Sequence, residues 1–509
     1  MSKENKRLRL VVAGLLLGMF MASMDQTIVS TAMATIVSDL GGLDKFVWVT
    51  SAYLVTEMAG MPIFGKLSDM YGRKRFFVFG LTAFLIGSIL CGTAHSIVQL
   101  SIYRAIQGIG GGALMPIAFT IVFDVFPPEK RGKMGGLFGA VFGLSSIIGP
   151  LLGAFITDNW NWHWVFYINV PLGILAVIFI AAFYHESREH REQKIDWWGA
   201  ATLVAAIVCL MFALELGGKK YAWDSTTIIG LFAGFAVFFA IFLFIETKAE
   251  EPIISFKMFK NRLFAVSNLL GIFYGAGFIV PVVFIPIFVQ GVFGGTATNS
   301  GLILLPMLLG NVVASMTGGM LAPKMSYRSI MMMSGLLFLI GMVLLSTLSA
   351  DTPRFVVTLF MIITGLGVGA SFSVVGIAAI HSFDPQQYGA VNSTVAFIRS
   401  LAMTVSITIY GTIQSHLMVD KLSKIFAGMR GGAPIGNLSG DPRQMLSPEA
   451  RAHIPPMVLN KLTDVLSTSI AHTFMWAIIP AALALITGLF FGKARMVVSQ
   501  AFSKPSQQG

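Results

Sequence analysis

The chain has 509 residues, of which 55% are hydrophobic and only 12% are charged, and its mean hydropathy is +0.77. Soluble globular chains carry about 25% charged residues, and apolar stretches longer than about 18 residues exceed what a soluble core needs. The composition therefore excludes an ordinary soluble protein. The net charge of +11 gives no reason to expect a nucleic-acid partner, because Lys and Arg in a membrane protein mainly set its topology.

Fourteen apolar stretches are long enough to cross a bilayer, so the sequence predicts an all-α membrane protein with fourteen transmembrane helices. In chain order they are Leu10–Met33, Phe46–Leu67, Phe76–Ala94, Ile97–Val122, Met134–Thr157, Trp164–Tyr184, Trp198–Leu216, Thr226–Ile245, Leu263–Val289, Ser300–Leu321, Ser329–Leu348, Phe355–Ala379, Val391–Ser415 and Ile470–Phe491. Of the 35 Lys and Arg, 23 fall on one side of this arrangement and the short loops of the other side hold four. This bias predicts that both termini lie in the cytoplasm.

The chain contains an internal repeat. Gly108–Gly112 matches Gly365–Gly369 at an offset of 257 residues, and Gly65–Leu67 matches Gly319–Leu321 at an offset of 254. Six-helix halves related in this way are typical of transporters whose central site lies between halves that rock. The predicted domains are a six-helix bundle over 1–190, two inserted helices over 191–250, and a second six-helix bundle over 251–509 with a long outer loop at 416–469.

The second copy of the repeat has lost charge. Pro323 stands at the position of Asp69, and Met361 stands at the position of Arg104. The polar chemistry is therefore expected in the first half.

The stretch Gly65–Arg75 is the first sharp charge cluster in the chain and lies between two predicted spans. Gly65 and Gly72 permit tight backbone turns. Asp69 and Arg73 are close enough to pair across such a turn, and the basic run that follows marks the cytoplasmic side. An ordinary basic loop that anchors two helices is the alternative interpretation.

Ionisable residues inside spanning helices are costly and usually face a cavity or a partner. In this chain they are Asp25, Glu57, Arg104, Asp124, Glu215 and Arg399. Asp25 lies in the middle of the first helix, where a carboxyl group can serve as a proton carrier; the alternative is permanent pairing with Arg104. Glu57 is expected to bind a cationic substrate, to share the proton load, or to be a structural acid.

Small residues crowd the fifth predicted helix, among them Gly143, Gly149 and Gly153, and Pro150 favours a bend there. Close helix packing explains the bare pattern. The sequence contains no Walker A motif, no metal-ligand cluster and no Ser/His/Asp arrangement. It predicts neither an enzyme nor a bound cofactor or metal.

The segment before the last span has an apolar face formed by Val458, Leu462, Val465 and Leu466, and Ser447-Pro448 is a possible helix start. We interpret 416–469 as an ordered outer loop that lies on the membrane surface. A gating role is the alternative.

Together these motifs resemble the major facilitator superfamily, and specifically its fourteen-spanner drug:proton antiporter branch. The resemblance rests on Met24–Val29, Gly65–Arg75, Arg104–Gly112, Gly143–Gly153 and Trp162–Pro171. It implies export of lipophilic, often cationic drugs in exchange for protons. It also implies that Asp69, Arg73 and Asp124 form a latch on the cytoplasmic side of the outward-open state.

The sequence departs from this family pattern at three points. His163 stands where Arg is common, Glu57 is an uncommon acid, and Val391–Ser415 contains no acid. The last departure counts against export of dications.

Three functions compete on this basis. The first is a proton-coupled multidrug antiporter in a bacterial plasma membrane, with protons, drugs and lipid as its partners. The second is a narrower exporter, of tetracycline, a monovalent cation or a lipid. The third is a membrane receptor or scaffold that transports nothing, against which an acid in mid-membrane argues.

Overall fold

The structure is a computed structural model that describes residues 3–41, 47–186, 196–218, 220–294, 297–427 and 456–496. Over these ranges the chain is a bundle of long helices without a β-sheet. The helices are α1 (Lys3–Leu40), α2 (Val47–Tyr71), α3 (Arg73–Cys91), α4 (Ile97–Val125), α5 (Pro128–Asn159), α6 (Trp164–Phe183), α7 (Trp197–Leu216), α8 (Thr226–Lys248), α9 (Arg262–Gly291), α10 (Ala297–Leu321), α11 (Tyr327–Leu345), α12 (Arg354–Ile380), α13 (Tyr388–Ala427) and α14 (Pro456–Gly488).

Within the described ranges, thirteen of these helices are long and apolar enough to cross a membrane. The other is α2, which has 25 residues and carries Glu57, Lys66 and Asp69. The all-α membrane fold predicted from the sequence is confirmed. Because the helices alternate in direction, the end of α2, the start of α3 and the start of α13 share one end of the bundle, which we call the basic end.

A glycine seam joins α4 to α2 in the first half. Gly108 faces the carbonyl group of Tyr53, and Gly112 faces the carbonyl group of Glu57. A Cβ atom at either glycine would collide with the α2 backbone. The two helices therefore approach as closely as backbone atoms allow.

The second half has the same seam between α12 and α10. Gly365 faces Met307, and Gly369 faces Asn311, each so closely that a Cβ atom would collide. Both glycines are offset by 257 residues from those of α4, and their partners are offset by 254 from those of α2. The repeat read from the sequence is thus a repeat of packing geometry.

The two halves meet where α5 packs on α10 and where α2 packs on α13. A Cβ atom on Gly143 of α5 would lie 3.0 Å from Cβ of Leu308. The inserted helix α7 packs against α2, and Leu203 and Met211 share a buried cluster with Met58 of α2 and Phe397 of α13. The inserted pair therefore borders the α2–α13 junction, while the division at 190 and 250 remains a prediction.

The predicted outer loop at 416–469 is wrong at both ends. Helix α13 continues to Ala427 and α14 begins at Pro456, while Ser447-Pro448 lies outside the described residues. The apolar face of the later segment is not laid on a membrane surface, because Leu462 and Val465 are buried in one cluster with Leu422 of α13. The hydropathy pattern did not predict these additional helical turns of α13 and α14 because their exposed side is polar.

The two glycines of the basic stretch differ in their roles. Gly65 does not turn the chain, since it lies inside α2. Gly72 does turn it: with φ at 112° it separates α2 from α3 in a conformation that favours glycine. Asp69 consequently lies on the last turn of α2 and Arg73 on the first residue of α3.

Candidate functional site

The basic end of the bundle is closed by a contact between α2 and the start of α13. The carboxylate of Asp69 accepts hydrogen bonds from the backbone N–H of Gly389 at 2.9 Å and of Ala390 at 2.7 Å. These amides belong to the N-terminus of α13, where helix N–H groups without an intrahelical partner favour a negative charge. Gly65 allows the approach because it has no side chain: a Cβ atom added there would lie 2.8 Å from the carbonyl oxygen of Gly389.

Arg73 connects three elements at the same end. Its Nη2 donates to Oδ1 of Asp69 at 3.0 Å and to the carbonyl oxygen of Pro385 at 2.6 Å. It also forms an ion pair with Asp124 at the end of α4. The guanidinium group is nearly buried, so both carboxylates are held by a charge that water does not screen. We call Asp69, Arg73 and Asp124 the latch triad.

A second buried ion pair lies in the first half between α1 and α4. Asp25 is 0% and Arg104 is 1% exposed, and Arg104 Nη1 donates to Oδ2 of Asp25. The other carboxylate oxygen accepts from Gln107 Nε2 at 2.8 Å and from Asn169 Nδ2 at 3.0 Å. Both oxygens of Asp25 are therefore held, and we call these four residues the carboxylate network.

Further contacts fix Arg104 in this network. Its guanidinium carbon lies 4.2 Å from the ring centroid of Tyr53, and its Nη1 donates to Oε1 of Gln107 at 2.7 Å. Ser88 of α3 accepts from Asn169 Nδ2 at 3.0 Å. A buried cation that keeps a carboxylate, an amide and an aromatic face is compensated for its lost hydration.

Local structure explains how α5 and α6 support this network. In α5, Cβ atoms on Gly149 and Gly153 would lie 3.2 Å and 2.9 Å from backbone oxygens of α1, so only glycine permits this packing beside Asp25. Pro150 lies within α5, which continues through it. In α6, the helix is interrupted at Ile168, and Asn169 follows directly.

Glu57 lies beside the network but makes a separate contact. It is 7% exposed, and its Oε2 accepts from Nε2 of Gln26 at 2.9 Å. Gln26 itself is exposed. Glu57 thus has a neutral partner, whereas Asp25 has a cationic one.

The structure brings together the residues singled out from the sequence in two groups. Asp25 meets Arg104, and Asp69 meets both Arg73 and, through it, Asp124. Sequence reasoning missed Gln107, Asn169, Ser88 and Gln26, because single neutral polar residues on apolar helices carry no distinctive signal. In the part of the chain that the structure describes, no cluster of three or more His, Cys, Asp or Glu is arranged to hold a metal.

Comparisons with known proteins identify the family of this chain. Residues 15–407 match the family model described as Major Facilitator Superfamily. The chain is 58% identical over 498 residues to Multidrug resistance protein 3 of Bacillus subtilis, with 97% of each chain covered. It is 40% identical over 486 residues to Multidrug transporter protein MdtP of the same organism, covering 92% of this chain and 90% of the relative.

Solved structures show the same fold at low sequence identity. The human organic anion transporter MFSD10 is 15% identical and gives a TM-score of 0.56, with 94% of this chain and all of that chain covered. The proton:xylose symporter XylE is 14% identical and gives a TM-score of 0.57, with 94% and 95% covered. At these identities the likeness concerns the fold alone.

Proposed function

This chain belongs to the Major Facilitator Superfamily of membrane transporters, and we propose that it is a proton-coupled antiporter that exports several lipophilic drugs. The names of its two Bacillus relatives support multidrug export. The proposal places it in the bacterial plasma membrane, with both termini and the basic end on the cytoplasmic side. The excess of Lys and Arg at that end supports this orientation.

The observation that carries the proposal is the ion pair between Asp25 and Arg104. A driven exporter needs a group whose affinity for protons differs between two states, because a ligand shifts an equilibrium only by differential affinity. Here the carboxylate is dry, doubly hydrogen-bonded and paired with a cation. That arrangement ties Asp25 to Arg104 in the state whose basic end is closed.

The proposed coupling works through the making and breaking of this pair. In the outward-facing state, a proton from outside neutralises Asp25 and removes the attraction to Arg104. The neutral carrier then turns inward, where substrate binding and release of the proton to the cytoplasm restore the pair. Re-formation of the pair returns the loaded carrier to the outward-facing state.

The latch triad holds the cytoplasmic side closed in this cycle. Asp69 lies on the first half and accepts from amide groups of the second half. The latch must therefore break whenever the two halves separate at the basic end. Arg73 keeps Asp69 oriented in the meantime.

The test is substrate uptake into inverted membrane vesicles that carry an acid-inside gradient, with and without an uncoupler. We expect Asp25→Asn to abolish uphill uptake while purified protein still binds the substrate, because Asn keeps the volume but cannot carry a proton. Asp39→Asn is the matched control: Asp39 lies at the far end of α1, is exposed, and accepts from Trp162. Uphill uptake at the wild-type rate by Asp25→Asn would move the proton role to Glu57.

A panel of dyes and antibiotics in the same vesicles measures the breadth of the substrate range. Uphill uptake of several unrelated compounds is expected. Uptake of a single class would favour the narrower exporter, and no uptake that responds to the uncoupler would favour a receptor or scaffold.

A further inference from the structure

The second half carries a charged side chain in the middle of a spanning helix, Arg399 of α13. Its distance from Tyr388, the first residue of α13, is about 16 Å along the helix, which is about half the hydrocarbon thickness of a bilayer. Between positions 252 and 419 the sequence contains two acids, Asp351 and Asp384, and both lie outside the helices. Among the described residues, Arg399 forms no ion pair. It is therefore a cation in mid-membrane without an acidic partner.

The contacts of Arg399 leave most of its guanidinium group without an acceptor. Nη2 donates to the carbonyl oxygen of Ser371 at 3.1 Å, and the guanidinium carbon lies 4.6 Å from the ring centroid of Phe372. Nε is buried without a hydrogen-bond partner, and the hydroxyl group of Ser371 is in the same situation. Within the described part of the chain Nη1 has no acceptor either, and it is not sealed from solvent. Three of the five N–H groups of Arg399, one on Nε and two on Nη1, are thus available to a ligand.

Arg104 shows what compensates a guanidinium group in the interior of this protein. It has a carboxylate, an amide oxygen and an aromatic ring as partners. Arg399 has an aromatic ring and one carbonyl oxygen, but no carboxylate. Because a guanidinium group keeps its proton in proteins, holding it in the interior without an anion is costly. An anion that comes from outside the chain would relieve that cost.

The face of α13 that carries Arg399 also reaches the first half. Asn392, two helical turns earlier on the same face, donates from Nδ2 to Oγ1 of Thr120 on α4 at 3.4 Å. Arg399 lies farther along this junction, away from the closed basic end. In transporters built from two such halves, the central site lies between them. The unsatisfied N–H groups are therefore placed where a substrate passes.

We propose that Arg399 binds the anionic group of a substrate, so that the transporter accepts lipophilic organic carboxylates. This inference rests on the proposed export function. A carboxylate accepts two parallel hydrogen bonds from the planar guanidinium fork, and the unsatisfied N–H groups of Arg399 supply them. The free hydroxyl group of Ser371 is a further donor. The rings of Phe372 and Phe278, whose centroids are 5.5 Å apart, provide apolar surface for the rest of the molecule.

The site is tested by equilibrium binding to the purified full chain in lipid nanodiscs, without a gradient. Dansylglycine, a lipophilic carboxylate at neutral pH, is compared with its uncharged methyl ester. The wild type is expected to bind the acid more tightly than the ester. Arg399→Gln should lose at least about tenfold in affinity for the acid, as for a lost charged hydrogen bond, and nothing for the ester.

Two further variants and a melting curve complete the design. Arg399→Lys keeps the charge but not the planar fork, so its affinity for dansylglycine should fall by less than that of Arg399→Gln. Arg262→Gln removes an exposed cation at the start of α9, which donates to the carbonyl oxygen of Phe490, and should alter neither affinity. The Tm without ligand should not fall in Arg399→Gln, because the change removes an uncompensated charge from the interior.

Several outcomes would overturn the inference. They are equal affinities of the wild type for acid and ester, a parallel loss of both in Arg399→Gln, a lowered Tm of that variant, or an equally large effect of Arg262→Gln. Loss of the preference for the acid when chloride is added would assign the site to an inorganic anion and would also contradict the inference. Uphill uptake of dansylglycine is measured separately. A chain that binds it as expected but does not export it would contradict the proposed function and uphold the binding site.

Discussion

The two halves of this transporter have the same glycine seams but different chemistry beside them. In both, two glycines of one helix lie against the backbone of its neighbour, at matching positions. Arg104 and Gln107 of the first half correspond at the 257-residue offset to Met361 and Thr364 of the second. Close helix packing therefore needs no charge, and the charges of the first half are there for another purpose.

The largest effect is expected when Arg104 of the first half is replaced by Met, the residue at the matching position of the second half. Arg104→Met leaves Asp25 buried without its cation, a change that typically costs about 3–5 kcal/mol of stability. We expect a lowered Tm of the purified protein and a loss of uphill uptake. Met361→Leu, the conservative change at the matching position, should leave both unchanged.

The double variant Asp25→Asn with Arg104→Met separates the effect of the ion pair on stability from its effect on uphill uptake. Removing both charges also removes the penalty of an unpaired one. Most of the lost stability should return in a thermal melt, while uphill uptake should not. Recovery of uphill uptake would show that the pair is structural only.

The equality of the seams is tested by Gly108→Ala and Gly365→Ala. Each adds a methyl group that collides with the facing backbone, and such overpacking typically costs about 1–3 kcal/mol. Similar losses in Tm are expected for the two. Gly139→Ala in α5 is the control, since no atom lies within 4 Å of a Cβ atom built there. Unequal losses at the seams would contradict their equivalence.

A smaller effect on stability is expected at the latch triad, where Pro323 is the second-half counterpart of Asp69. Asp69→Asn keeps one acceptor for the α13 amides but loses the ion pair with Arg73. Turnover in vesicles should fall about tenfold, as for one charged hydrogen bond, with protein abundance unchanged. Asp384→Asn serves as the control, since Asp384 lines a cavity at the basic end together with Asp69 and Arg73 but is not part of the latch triad. Normal turnover in Asp69→Asn would contradict the proposal that Asp69 is part of a latch.

The smallest effect is expected where the linker after α8 touches the first half. Lys66 pairs with Glu251 at 2.6 Å, and both side chains are partly exposed. The second-half counterpart of Lys66 is Met320. Because exposed pairs contribute about 0–1 kcal/mol, Glu251→Gln should shift the Tm slightly at low salt and not at high salt. A large shift that persists at high salt would show that this contact is structurally essential.

The sequence allowed a good prediction of the helices and of the charged pairs, for physical reasons. Spanning helices need long apolar stretches, and a charge inside one, such as Asp25 or Arg104, stands out against them. Asn169 carries no such signal. Its place in the network depends on the interruption of α6 at Ile168, which apolar composition does not reveal.

The sequence pattern did not predict that α13 continues beyond Ser415 to Ala427, for a related reason. Beyond Ser415 the helix turns partly polar, with His416 and Asp420 exposed, while Met418 and Leu422 stay buried against α14. Amphipathic periodicity alone does not tell a helix paired above the membrane from one that lies on it.

The length of α13 allows a small tilt at one end of the helix to become a large displacement at the other. Its 40 residues span about 60 Å, about twice the hydrocarbon thickness of a bilayer. Backbone N–H groups of its first turn donate to Asp69, and no proline interrupts the helix up to Ala427. A tilt of about 10° at the closed end would swing the far tip by about 10 Å. An antibody fragment that binds the exposed residues of α13 beyond Ser415, among them His416 and Asp420, is therefore expected to stall the cycle without entering the drug pathway.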